Sequence, residues 1–141
     1  MTTPNPDAPQ REEEIPSYHV SFDRLDQLNR SAITLLAARR PAMVPSMLKE
    51  DSELDNPQEI LAEIAEYCGS EEDFIDSGMP LQEIIFRTLL ARRNEPMTLN
   101  ELHDELTQRW STPVRPINLT MRTLERILGS DDYYGFARVE D

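Results

Sequence analysis

Residues 95–110 read EPMTLNELHDELTQRW, and residues 117–139 read INLTMRTLERILGSDDYYGFARV. Thr98–Leu99–Asn100–Glu101 has the form of a capping box. The Thr98 hydroxyl takes the Glu101 amide, and the Glu101 side chain returns to the Thr98 amide. A helix then runs to about Trp110, with Leu99, Leu102, His103, Leu106 and Trp110 on its buried side. Ser111–Thr112–Pro113–Val114–Arg115–Pro116 is a stiff loop, because two prolines restrict the backbone. Asn118 or Thr120 caps the next helix, in which Met121, Leu124, Ile127 and Leu128 face inward and Gly129 is the stop. Tyr133–Val139, after the Asp131–Asp132 turn, is short and aromatic and reads as a strand.

Working outward, Pro80 opens a preceding helix that lasts to Arg93. Leu81, Ile84, Ile85 and Leu89 lie on one face, Phe86 and Leu90 lie alongside, and Asn94 suits the C-cap. The order over residues 79–141 is helix, short strand, capped helix, loop, helix, strand. That is the layout of a winged helix-turn-helix, and its full set of caps and apolar faces predicts independent folding. The stretches LLARRNEPMTLNELHDELTQRW and INLTMRTLERILGSDDYYGFARV resemble the small winged-helix modules of bacterial transcription accessory proteins. The delta subunit of RNA polymerase and the HARE-type helix-turn-helix domains are the families resembled, over residues 79–141. The resemblance implies a winged-helix fold and a role in transcription. A full wing needs two strands, and only one follows the last helix here. The expectation is a truncated wing, or one whose second strand comes from elsewhere in the chain.

Toward the N-terminus, Phe22, Leu25, Leu28, Ala32, Ile33 and Leu36 recur at steps of three and four. With Ser21 as N-cap and Pro41 as terminator, they predict one helix. Residues 41–55 read as a connector with one short helical turn. Asn56–Pro57–Gln58–Glu59 starts a helix whose face is Ile60, Leu61, Ile64, Tyr67 and Cys68, with Gly69 ending it in left-handed geometry. Ser70 begins a further short helix that covers Phe74 and Ile75. Residues 1–18 hold four prolines (Pro4, Pro6, Pro9, Pro16) and the run Glu12–Glu13–Glu14, and read as a disordered acidic tail. The expected organisation is a tail (1–18), an acidic helical region (19–78) and a winged-helix-like domain (79–141). The fold class is mainly α.

Asp and Glu number 27 against 14 Lys and Arg, a net charge of −13 over 141 residues. Residues 1–78 hold 17 acids and six bases, whereas residues 79–141 hold ten acids and eight bases, all arginine. Phosphates would meet a repulsive field over most of such a surface. One cysteine excludes an internal disulfide framework and fits a reducing compartment. No apolar run reaches the ~18–20 residues of a membrane helix. The expected setting is cytoplasmic, with no membrane contact.

Little in the chain suits catalysis. His103 falls on a packing face, Cys68 on an apolar helix face, and Lys49, the only lysine, among acids. The four glycines read as caps or turns, not as a phosphate cradle. Asp51-x-Glu53-x-Asp55 resembles the start of a calcium loop, but Asn56 stands at the glycine position and Ala62 at the terminal acid position. No cofactor, metal or catalytic residue is expected. The residues that point to a partner are Arg115, Arg122 and Arg126, with Thr120 and Thr123. On the exposed face of a third helix, arginine forks match guanine edges or phosphates, and threonines add phosphate contacts. The expected function is a non-enzymatic regulatory or adaptor protein, associated with transcription, that binds a protein partner such as RNA polymerase or another basic protein. One alternative is sequence-specific DNA binding through the third helix, as a dimer. Another is an acidic nucleic-acid mimic.

Overall fold

The computed structural model describes residues 15–139. The elements, in order, are β1 (Ser17–Val20), α1 (Phe22–Gln27), α2 (Ala32–Ala37), α3 (Pro57–Tyr67), α4 (Leu81–Ala91), β2 (Met97–Thr98), α5 (Leu99–Asp104), α6 (Met121–Gly129) and β3 (Phe136–Arg138). The chain is mainly α, with one small antiparallel sheet in the order β2–β1–β3.

β1 is the central strand. Tyr18 lies opposite both Met97 and Arg138, and Val20 lies opposite Phe136. The expected tail, 1–18, falls on residues outside the described range except at its end, and there it is corrected: Ser17 and Tyr18 are strand residues. Tyr18 and Val20 are 5% and 2% exposed, so alternate residues of β1 face the core and hold the segment to it. β2 and β3 do not pair with each other, so the sheet of the C-terminal part closes only through this N-terminal strand.

The single helix expected from Ser21 to Arg40 is two helices. Asn29 has φ 59°, the Asn29 N–H donates to Asp26 and the Arg30 N–H to Leu25, which together end α1 in a Schellman motif. Ser31 then caps α2 by accepting from the Thr34 amide. The apolar period survives this break, which is why the pattern alone reads as continuous. α3 is capped by Asn56 with Pro57 in the first turn, as the spacing predicts. Gly69 does not take left-handed geometry: Gly135 is the glycine with positive φ, and α3 instead tightens into a 3-10 turn at Cys68–Ser70. Residues 71–80 form turns rather than a helix, although Phe74 is buried.

α4 runs through the middle of the core, with Ile84, Ile85, Phe86, Leu89 and Leu90 at most 1% exposed. One hydrophobic cluster includes Leu25, Leu36, Ile60 and Ile64 together with Leu102, Leu106, Leu124, Leu128 and Phe136. The regions 19–78 and 79–141 therefore bury their apolar faces against a shared core. α4 ends in a second Schellman motif with Arg93 and Asn94 at positive φ. The Thr98–Glu101 capping box forms in both directions, at 3.1 and 2.8 Å. α5 continues as a wide π turn over Glu105–Arg109.

Candidate functional site

α6 carries the residues singled out by sequence. Leu124 and Leu128 are buried on its inner side, and Arg122, Glu125 and Arg126 are exposed on the other. Thr120, not Asn118, is the N-cap, and its hydroxyl accepts from the Thr123 amide at 3.1 Å. The Thr120 and Thr123 hydroxyls lie 3.0 Å apart, and Arg126 donates to the Thr123 hydroxyl at 3.3 Å. The fold thus brings Thr120, Thr123 and Arg126 into one hydrogen-bonded cluster. The Arg122 side chain makes no hydrogen bond or ion pair among the described residues. Arg115 stands apart from this group. Its guanidinium reaches back to the Gly78 carbonyl at 3.4 Å, beside Pro80 and Leu81.

His103 is half-buried, and its Nε2–H donates to the Leu119 carbonyl at 2.6 Å. This bond ties α5 to the residue just before the Thr120 cap.

The charge on this side is close to balanced. Residues 98–138 hold six acids and five bases. Glu125 sits between Arg122 and Arg126 in sequence on the same exposed face. It is also close to the sheet: burial raises the Tyr18 phenol above its ordinary value, Glu125 adds to that rise, and Arg138 opposes it. β3 pairs with β1 and packs against α6, which brings Glu125 and Arg138 close enough to act on Tyr18.

Two features escaped the sequence reading. The first is a half-buried ionic knot on Glu83 of α4. Arg39 donates to both its oxygens at 2.8 Å, Arg87 donates at 2.7 Å and the Tyr134 hydroxyl at 2.9 Å. Burial opposes ionisation of Glu83, but its hydrogen bonds from Arg39, Arg87 and Tyr134 outweigh that and hold the carboxyl at about 2. Burial and the Glu83 charge push Tyr134 up to about 12. Arg39 also lies over the Phe86 ring at 4.8 Å. Only the Glu83–Arg87 pair has a local spacing, four residues along α4; Arg39 and Tyr134 lie 44 and 51 residues from Glu83 and have none. The second is a set of exposed apolar residues, Met43, Met47 and Leu48, in the stretch that reads as a connector. Large apolar residues on either side of Pro45, in a stretch with no helical period, are the available signal.

No helix among the described residues is long and apolar enough to cross a membrane. No family model, no curated protein and no solved structure matches this chain.

Proposed function

We propose that this protein is a non-enzymatic regulatory or adaptor protein, acting in transcription, that binds a protein partner through a winged-helix-like scaffold. What supports the scaffold is the element order α4, β2, α5, loop, α6, β3, with β1 lying beside β3 where a wing strand would be. The scaffold is permuted: the second wing strand is the one that precedes α1. The role in transcription rests on the resemblance of residues 79–141.

The observation that carries the protein-partner reading is the distribution of charge. The arginines of α6 share their face with Glu125, and one of them, Arg126, is engaged with Thr123. Residues 41–82, by contrast, hold eleven acids and a single base, Lys49. A surface of that kind repels phosphate and attracts basic protein. The non-enzymatic reading is supported by His103, whose Nε2–H is committed to a backbone carbonyl.

Arg122 favours a second reading, DNA binding, since its guanidinium is exposed and makes no bond among the described residues. The two readings separate in a salt series with the wild type and the Arg122→Ala/Arg126→Ala variant on random and genomic duplexes. The adaptor reading expects weak, non-specific duplex binding that the double variant barely changes. Tight binding at physiological salt, with a salt slope lowered by about one unit per lost phosphate contact, would establish the DNA reading instead.

A further inference from the structure

Between Pro41 and Leu54 the chain makes two 3-10 turns, Pro45–Leu48 and Asp51–Glu53. Three charged side chains fasten the backbone of the first turn and of the residues leading into it. The Arg40 guanidinium donates to the Ser46 carbonyl at 2.7 Å and to Asp51 at 2.8 Å. Glu63 of α3 accepts from the Ser46 amide and from its hydroxyl. Glu71 accepts from the Ala42 amide at 2.9 Å. Pro41 and Val44 point inward and are buried. The segment is thus fixed at both the backbone and the core.

Three large apolar side chains nevertheless point to water. Met43 is 68% exposed, Met47 45% and Leu48 94%. Burying a fully exposed side chain of this kind contributes roughly 1.5–3 kcal/mol, so a fastened stretch of residues 43–48 that displays three of them is a preformed contact surface. Acids surround it. Glu50, Asp51, Glu53, Asp55 and Glu59 are exposed, and the adjoining groove against α3 is lined by Glu53, Asp55, Glu59 and Glu63 against the single base Lys49.

We infer that this surface docks an amphipathic helix of a protein partner. Its apolar stripe covers Met43, Met47 and Leu48, and its lysines and arginines meet the carboxylates of the groove. The inference rests on the adaptor reading and names the face and the chemistry of the partner. Charge complementarity selects this occupant. Anionic lipid and nucleic acid are repelled by the same carboxylates, and a second copy would bring its own acids against them. Two of the three apolar contacts are methionines, whose unbranched chains adapt to a helix surface.

The full chain is titrated with a synthetic helix of about 18 residues, five turns, built from leucine on one face and lysine on the other. A peptide of the same composition with the two residues scrambled, and a leucine–glutamate version, serve as controls. The methyl resonances of Met43 and Met47 shift with the basic amphipathic peptide, while that of Met97, 1% exposed, stays in place. The Met43→Ser/Met47→Ser/Leu48→Ser variant, with a melting temperature matching wild type because all three side chains are exposed, binds at least about tenfold more weakly. Asp55→Asn/Glu59→Gln weakens binding at low salt. Absence of binding, equal binding of the scrambled peptide, or an unchanged affinity in the triple serine variant each overturns the assignment. If a partner recovered from nuclease-treated native lysate is retained equally by wild type and by the triple variant, the docking surface is refuted and the adaptor reading stands.

Discussion

The side-chain amide of Asn94 pairs with the backbone of Val20 in both directions. Its Oδ1 accepts the Val20 N–H at 2.8 Å, and its Nδ2 donates to the Val20 carbonyl at 2.7 Å. β2 pairs with β1 only at Ser17 and Tyr18. Asn94 continues that ladder with a side chain, two residues farther along β1. It does so from a φ of 61°, a left-handed conformation that asparagine tolerates better than most residues. One residue therefore helps end α4 and extends the pairing of the central strand.

Asn94→Ala is expected to cost about 2–4 kcal/mol, combining an unpaired donor at a buried strand with left-handed strain. Asn94→Gly removes the strain and keeps the loss of pairing, so it should fall between alanine and wild type. Chemical denaturation followed by the fluorescence of Trp110, the single tryptophan, measures both. Equal stability of the three proteins would show that the pairing contributes nothing.

Glu83 makes stability fall in acid. Its folded carboxyl is held at about 2, below the ordinary value of 4.5. A depressed folded value means that the contribution is complete above pH 4.5 and drains away as pH drops toward 2. Its size at neutral pH is on the order of 3 kcal/mol. Glu83→Gln should lower stability by a comparable amount, because Arg39 keeps its charge while its side chain is only 10% exposed. Melting temperature against pH is the measurement. A variant whose acid limb between pH 4.5 and 2 is as steep as wild type would remove Glu83 from the account.

Gly135 has φ +81°, and a Cβ there would stand 2.6 Å from Leu25 Cγ and 3.1 Å from the Ser21 carbonyl oxygen. The Ser21 amide donates to the Gly135 carbonyl at 2.8 Å, so neither segment is free to retreat. Gly135→Ala should destabilise by about 2–4 kcal/mol, from backbone strain and overpacking together. Gly69→Ala is the control, since its Cβ meets nothing within 4 Å. Similar melting temperatures for the two variants would refute the steric reading.

A fragment of residues 79–141 should be unfolded or molten by circular dichroism and proton dispersion. It holds β2 and β3 without the strand that joins them, and leaves Ile84, Leu89 and Phe136 without Leu25, Leu36 and Ile64. A chain of residues 15–141 should fold like the full protein. A cooperative melt of the short fragment would show that its core is sufficient.

Local sequence determined much of this protein. The Thr98–Glu101 capping box, the Asn56–Pro57 start, the Thr120 cap and the apolar stripes of α3, α4 and α6 stand where the spacing puts them. Each depends on residues within one or two turns, so each is readable from a short window. The exposed cluster Thr120, Thr123 and Arg126 follows from the same helical spacing. What the tertiary structure decided is the sheet, the ionic knot and the position of Arg115. Ser17–Val20 is four residues long and follows an acidic, proline-rich stretch, so its alternation is too brief to declare a strand. It becomes one because Met97 on one side and Phe136–Arg138 on the other satisfy its backbone groups, and because Tyr18 and Val20 find a core to enter. Glu83 likewise acquires its character from Arg39 and Tyr134, which only the folded chain brings within 3 Å of it. Pairings between residues far apart in sequence have no local signature, since their free energy exists only once the intervening chain has been ordered.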